Sequence, residues 1–106
     1  MQSVRLFAEP LYSLPSVAIS GTYALLGEIL NPSQLYFVQN LTDATLTFSQ
    51  DGTHDTFQLP ASGFLLIDAG TNKGNYQSLS FPEGTVLYVK GSPGSGQANL
   101  TSWYMG

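Results

Sequence analysis

The dipeptide Asp51-Gly52 lies between two short segments in which apolar and polar residues alternate, residues 45–49 before it and residues 56–59 after it. Glycine supplies the positive φ that a tight hairpin turn needs, and alternation with a period of two is typical of strands with one buried face. We therefore predict a β-hairpin in the middle of the chain. The side chains expected to face its interior are Leu46, Phe48, Phe57 and Leu59.

Short apolar runs separated by Gly, Pro, Asn and Asp recur along the whole sequence. This spacing is typical of a sandwich or a barrel. We predict one all-β domain over residues 1–106, an antiparallel β-sandwich of about seven to nine strands with a jelly-roll or immunoglobulin-like arrangement. Strands are expected at residues 3–8, 22–30, 34–39, 45–49, 56–59, 64–67, 77–81, 85–90 and 98–104, with a brief pairing at residues 17–20.

Four segments carry more specific expectations. Residues 34–39 are apolar over their centre, which predicts a central strand covered on both faces, and residues 64–67 are expected to be a second buried run. Residues 9–15 contain two prolines, so we predict an extended connection without regular structure. Residues 91–96 are rich in Gly and Ser and are expected to be the most flexible stretch.

Charged residues make up only 9% of the chain, against about 25% in an average globular protein. Ser, Thr, Asn and Gln must therefore cover much of the surface. Such a surface suits a subunit packed against neighbours, because interface centres are depleted in charge and enriched in aromatic residues. It suits an ordinary Ser/Thr-rich sandwich equally well, and composition alone does not separate the two interpretations.

Lys and Arg occur at three positions only, Arg5, Lys73 and Lys90, and the net charge is −4. Binding to nucleic acid or to an anionic membrane needs clustered cations, so we predict neither. No run approaches the ~18 apolar residues of a transmembrane helix. The chain has no cysteine, which excludes disulfides and thiolate metal sites and favours assembly in a reducing cytosol.

The single histidine, His54, follows the predicted hairpin turn. A catalytic triad needs a serine on one imidazole nitrogen and an acid on the other, and no nucleophile-elbow motif is present. One histidine does not make a zinc site, and Asp43, Asp51 and Asp55 lack the spacing of a calcium loop. We interpret Asp51 and Asp55 as partners of turn amides. We therefore predict no enzymatic activity, no cofactor and no metal, and rank a hydrolase with His54 as its base last.

Four aromatic residues near predicted loops and at the last strand are candidate interface residues: Tyr12, Tyr76, Trp103 and Tyr104. Exposed aromatic rings serve as platforms on which sugars or partner proteins pack, although ordinary core packing is the alternative for each of them. Because Trp103 and Tyr104 are neighbours, we expect one to face the core and the other to face solvent.

Several segments of the chain form a pattern known from one class of proteins. These are residues 37–43 (FVQNLTD), 49–52 (SQDG), 59–61 (LPA) and 84–90 (GTVLYVK). Over residues 34–104 the chain resembles small all-β virion proteins of tailed bacteriophages, of the kind that decorate or cement the capsid or lie at the head–tail junction.

The resemblance implies a non-enzymatic capsid decoration or cement protein, present in many copies in a virion assembled in the host cytoplasm. Its expected partners are the major capsid protein or other virion proteins, and copies of itself in a homo-oligomer. A carbohydrate- or receptor-binding module of the head–tail region, tail or fibre is the alternative. Residues 1–20 lie outside the resemblance and are a candidate extended arm that reaches a neighbouring subunit.

Overall fold

The computed structural model describes residues 6–68 and 81–105. The predicted loop at residues 68–76 and strand at residues 77–81 therefore lie almost wholly outside the described residues. The described part contains one 3₁₀ helix, Ser16–Ala18, and nine strands. The strands are β1 (Leu6–Ala8), β2 (Tyr12–Pro15), β3 (Ala24–Glu28), β4 (Ser33–Asn40), β5 (Leu46–Ser49), β6 (Phe57–Leu59), β7 (Phe64–Asp68), β8 (Val86–Gly91) and β9 (Gln97–Met105).

The strands form two packed antiparallel sheets. Sheet 1 has the order β1-β9-β4-β7, with β2 continuing the β1 edge along β9, and sheet 2 has the order β3-β8-β5-β6. If β1 and β2 are taken as one interrupted strand, the first half of the chain pairs with the second half in reverse order. The pairs β2–β9, β3–β8, β4–β7 and β5–β6 then alternate between the two sheets. This is the pairing of a jelly roll, so the predicted all-β sandwich is confirmed and the jelly-roll arrangement is the one observed.

The core lies between the sheets and takes alternate residues from each strand, as a pleated strand with one buried face requires. Phe48 is fully buried and stacks on Phe57 with ring centroids 4.9 Å apart, so the predicted interior of the central hairpin is confirmed. The buried apolar residues are Ile19, Leu26, Ile29, Tyr36, Val38, Leu46, Phe48, Leu59, Leu87, Val89, Ala98 and Leu100.

Residues 9–20 depart from their prediction, whereas the described part of the strand predicted at residues 3–8 is observed as β1. β2 is a regular strand that pairs with β9 from Tyr12–Leu100 to Pro15–Gln97, so the expectation of an irregular connection was wrong. Proline is tolerated here because β2 is an edge strand, where a missing N–H need not break the ladder. The brief pairing predicted at residues 17–20 is replaced by the 3₁₀ helix. The described part of the candidate arm thus belongs to the chain's own sheet.

Glu9 occupies the gap between β1 and β2. Its N–H donates to the carbonyl of Ser102 at 2.9 Å, which keeps the chain alongside β9. Its buried carboxylate accepts hydrogen bonds from the N–H groups of Leu30 at 2.9 Å and Asn31 at 2.8 Å. A buried carboxylate is tolerated because it is hydrogen-bonded, and here it ties the edge of sheet 1 to the β3–β4 turn.

The predicted flexible loop before β9 is held against the loop between β4 and β5. The carboxylate of Asp43 accepts hydrogen bonds from the N–H groups of Gly94 at 2.7 Å and Ser95 at 3.3 Å. These bonds, the Gly94 bond first, hold the pKa of Asp43 below its usual range. Gly96 has a φ of +90°, and a Cβ there would lie 2.0 Å from the carbonyl oxygen of Leu41. Only glycine fits at that position.

We expect Gly96→Ala to destabilise the fold far more than Gly84→Ala. Gly84 has a similar φ of +86° but open space where a Cβ would point, so its substitution costs only the left-handed backbone, about 1–2 kcal/mol. Gly96→Ala adds the clash with Leu41, and overpacking of this kind costs a further ~1–3 kcal/mol. Urea unfolding of the two variants measures the difference. An equal loss of unfolding free energy in the two variants would show that the loop at residues 91–96 can move away from Leu41 at little cost.

Candidate interaction surface

In the described part of the chain, the outer side of β4 is less buried than its inner side. Tyr36 and Val38 are buried in the core, whereas Leu35 and Phe37 alternate with them and lie half-buried on the opposite face. The prediction that this strand is covered on both faces was therefore wrong. The strand is apolar on both sides, but the second sheet packs against only one of them.

The edge strand β7 shows the same pattern more strongly. Leu65 and Ile67 pack against the core, while Phe64 and Leu66 point the other way and are 65% and 54% exposed. The prediction of a buried run at residues 64–67 is thus correct for one face only. The rings of Phe37 and Phe64 lie 5.8 Å apart, so the exposed residues of β7 join those of β4.

On the third adjacent strand, β9, Trp103 lies opposite Leu35 and points to the outer face. We call the outer face of sheet 1 over these three strands the open face. Its apolar residues are Leu35, Phe37, Phe64, Leu66 and Trp103, and the polar residues Gln39, Asn99, Thr101 and Asp68 lie in the same outward rows. With strands ~4.8 Å apart and ~3.4 Å per residue, it measures roughly 14 Å by 17 Å, or about 240 Å². The case for an interaction site rests on the outward exposure of Phe64 and Leu66 and not on patch size, because the largest apolar patch of a typical monomer is already about 300–600 Å².

The outer face of sheet 2 is partly covered by the β5–β6 loop at residues 50–56, which lies over β8. Gly52 lies over the ring of Tyr88, and an added Cβ would sit 3.4 Å from that ring. Asp55 accepts a hydrogen bond from the hydroxyl of Tyr23 and pairs with Lys90 at 3.2 Å. Lys90 in turn lies 4.5 Å from the centre of the Tyr23 ring. The two faces of the sandwich are therefore unlike: one carries its own polar cover, and the other presents apolar side chains.

The carboxylate of Asp51 caps the hairpin tip. It accepts hydrogen bonds from the N–H groups of Thr53 at 2.8 Å and His54 at 2.7 Å, and from the Ser49 hydroxyl at 2.8 Å. Its second oxygen lies 2.7 Å from the His54 ring. These contacts, led by the His54 backbone N–H, hold the pKa of Asp51 well below its usual range. Asp51 bonds to turn amides as predicted.

Asp55 does not bond to turn amides, so that half of the interpretation was wrong. Its partners are the side chains of Tyr23 and Lys90, and the Tyr23 hydroxyl is the main reason that the pKa of Asp55 is lowered. Partial burial, followed by the hydrogen bond to Asp55, raises the pKa of Tyr23 to about 12. These groups hold the loop on sheet 2.

The hairpin does not have the geometry of a catalytic triad. A triad places the histidine between serine and acid, whereas here Asp51 lies between Ser49 and His54. The His54 side chain is 83% exposed, and its recorded side-chain partner is Asp51. The polar atoms at the tip are consumed in shaping the turn.

The four candidate interface residues fall in different places. Trp103 lies on the open face, and its neighbour Tyr104 lies on the opposite side of the strand, where it stacks on Phe7 with ring centroids 5.7 Å apart. Tyr12 points inward and packs against the core and Gly27. Tyr76 lies outside the described residues.

The sequence did not lead us to predict that Phe64 and Leu66 of β7 belong to an exposed surface. The signal was present, because a strand of apolar residues at a sheet edge has no second sheet on its outer side. Strand order was needed to use it, and the sequence did not supply strand order.

Within residues 6–68 and 81–105, no three His, Asp or Glu side chains lie close enough to hold a metal ion. Over the same residues, no helix is long and apolar enough to cross a membrane.

No protein-family model matches the chain, and no curated protein matches it. A solved structure of Bacillus endospore appendages, described as a novel family of disulfide-linked pili, aligns with 98% of this chain and 89% of its own length. The identity is 14% and the TM-score is 0.43, values at which the similarity does not bear on function.

We expect Asp51→Asn to lower stability at neutral pH and to change how stability depends on pH. The folded-state pKa of Asp51 lies below the ordinary 3.8, so its carboxylate stabilises the fold above that pH, and this stabilisation is lost as the pH falls through the folded-state pKa. Melting temperatures of both proteins between acidic and neutral pH test this. The difference in melting temperature between the natural protein and Asp51→Asn should become smaller as the pH falls. A difference that stays constant with pH would contradict the role given to Asp51.

Proposed function

We propose that this chain is a non-enzymatic structural subunit that binds another protein through the open face. In its finer form, the proposal is a capsid decoration or cement protein of a tailed bacteriophage that binds the major capsid protein and stabilises the shell. The observation that carries the proposal is the outward, solvent-exposed position of Phe64 and Leu66 beside Phe37 and Trp103.

The physical chemistry of the open face favours a protein partner. Five of its outward side chains are apolar, and burial of such surface is the main favourable term in protein association. Interface centres have this composition, with aromatic residues enriched and charge depleted. The resemblance to phage virion proteins supports the same reading, since residues 34–104 contain β4, β7 and β9, the three strands that form the face.

Contact size decides how such a subunit can work. If all of the ~240 Å² were apolar, its burial at ~25 cal/mol per Å² would yield roughly 6 kcal/mol, and the polar Gln39 and Thr101 lower this gain, while association costs ~4–15 kcal/mol. One open face therefore supports a weak contact. Weak contacts are effective when many copies bind a repeating surface, because linked sites raise the effective concentration. A capsid lattice is a surface of that kind.

The absence of catalytic activity belongs to the same proposal. The hairpin tip is the place where the described residues bring serine, histidine and aspartate together, and each of these side chains is engaged in the turn. A hydrolase would need a serine beside His54, and the observed order does not provide one.

To test the proposal, we would analyse purified particles of the virus that encodes this chain by mass spectrometry and cryo-imaging. We expect the protein to be present in many copies on the shell. Phe37→Lys should lower its occupancy at least about tenfold, since a charge at the centre of the face must be desolvated on binding. Leu25→Lys is the control, because Leu25 is 50% exposed on the outer face of sheet 2. Absence of the protein from particles would end the proposal, and so would equal occupancy of both variants.

One observation favours the alternative of a carbohydrate- or receptor-binding module. Trp103 lies in the same outward row of β9 as the polar residues Gln97 and Thr101, and Gln97 donates to the buried Asn99 at 3.2 Å. An aromatic ring beside hydrogen-bonding side chains is the composition that sugar recognition uses.

If this alternative holds, a glycan array should show selective binding that Trp103→Ala abolishes. Tyr104→Ala is the control variant, because Tyr104 lies on the other side of the same strand, where it stacks on Phe7. An array without bound glycans, together with host attachment unchanged by Trp103→Ala, would rule the alternative out.

A further inference from the structure

The four sheet edges in the described part of the chain are not equally protected. The β1–β2 edge carries Pro10 and Pro15, β3 has an irregularity between Leu25 and Gly27, and β6 has three residues followed by Pro60. Prolines, bulges and short strands are the devices that keep edges from pairing with other chains. By contrast, β7 has five residues and none of these features.

The hydrogen-bonding register shows which groups of β7 face the open edge. The N–H of Asn40 donates to the carbonyl of Gly63 at 2.8 Å, so Asn40 and Gly63 are a hydrogen-bonded pair. Such pairs recur at every second residue of an antiparallel ladder, which places the backbone groups of Leu65 and Ile67 toward β4. The N–H and C=O groups of Phe64 and Leu66 consequently point away from β4, toward the free edge of sheet 1. Their side chains stand perpendicular to these groups, on the open face.

We propose that β7 pairs antiparallel with β7 of a second copy of this chain, about a two-fold axis at Leu65. In this register Phe64 of each copy forms a hydrogen-bonded pair with Leu66 of the other, and the two apolar side chains lie side by side. A register centred on Leu66 would instead place the carboxylate of Asp68 opposite the apolar ring of Phe64, so the register centred on Leu65 is favoured. At the other end, Ser62 has a φ of +66°, so the extended backbone of β7 begins after it.

Charge and area both favour a second copy as the occupant. Residues 64–67 carry no charge, so two copies meet there without the repulsion that a net charge of −4 creates elsewhere. A two-fold axis needs only a surface that is complementary to itself, which an antiparallel edge strand is. One open face of ~240 Å² is about a third of the ~800 Å² per partner in a standard interface. Pairing of β7 joins two open faces into one surface of about twice that size.

This inference deepens the proposed function, because the joined surface is what the dimer would present to its partner. The edge pairing itself is small, and we expect a weak dimer in solution that forms fully where copies are concentrated on a lattice.

Sedimentation equilibrium between about 10 µM and about 1 mM tests the pairing. The natural sequence should show a monomer–dimer equilibrium in this range. Leu66→Pro should weaken the dimer at least about tenfold. Proline removes an N–H that points away from β4, so the ladder within the chain stays intact. Leu66→Lys should act in the same way. The matched control is Leu30→Lys, because Leu30 is 53% exposed against 54% for Leu66 and lies outside the strands.

Amide hydrogen exchange of the natural sequence decides the question even if Leu66→Pro fails to fold. The N–H groups of Phe64 and Leu66 should become protected as protein concentration rises, while those of Leu65 and Ile67 should be protected at every concentration. A protein that stays monomeric at about 1 mM would overturn the inference, as would a dimer that a folded Leu66→Pro variant leaves unchanged.

The particle experiment separates this inference from the proposed function. A protein that is abundant on particles but monomeric at every concentration in solution, with unprotected Phe64 and Leu66 amides, refutes the pairing and leaves the function standing. A dimer with the expected variant behaviour, from a protein absent from particles, does the reverse.

Discussion

The central ladder of sheet 1 is the interaction on which the rest of the molecule depends. β4 bonds to β9 on one side and to β7 on the other, and this joins residues near the middle of the chain to its last strand. The pairing of early with late strands produces the jelly roll. It also fixes which face of each strand meets sheet 2. Once Tyr36 and Val38 are committed to the core, Leu35 and Phe37 must point outward, whatever their affinity for water.

The apolar character of β4 on both sides explains what the sequence predicts and what it does not. Alternation in the central hairpin identifies Leu46 and Phe48 as interior residues, because a polar face and an apolar face leave one solution. A run that is apolar on both faces indicates that burial of either face is favourable. It does not say whether the cover comes from the same chain. The prediction of a strand buried on both sides was wrong for this reason, and so was the prediction for β7.

Edge position accounts for the other difference. Two prolines made residues 9–15 look irregular, yet β2 pairs with β9 because its second edge has no neighbour among the described strands. Position in a sheet is a property of the whole pairing order, and short sequence windows do not contain it. The same holds for the buried Glu9, whose value as a link to the β3–β4 turn depends on β1 and β2 sharing an edge.

The two outer faces differ in the described residues. Sheet 2 has a polar loop over part of its outer face, whereas Phe64 and Leu66 are exposed on the outer face of sheet 1. The chain covers sheet 2 with a seven-residue loop (residues 50–56), in which Asp51 shapes the turn and Asp55 anchors it to Tyr23 and Lys90. Lys90 is the one Lys or Arg in the described ranges, and it is engaged in this anchor. Among residues 6–68 and 81–105, no cation is therefore left to steer an approaching partner toward the open face.

Among the described residues, the open face and the β7 edge offer apolar side chains and backbone groups for association. Such contacts form at the ordinary rates of neutral surfaces, roughly 10⁵–10⁶ M⁻¹s⁻¹, and depend little on salt. A subunit with these properties gains little from long-range attraction to a soluble partner. It gains much from a partner that presents many identical sites at short range, where a weak apolar contact and an unprotected edge act together. The low charge of the sequence and the geometry of β7 thus both support the proposed assembly on a repeating surface.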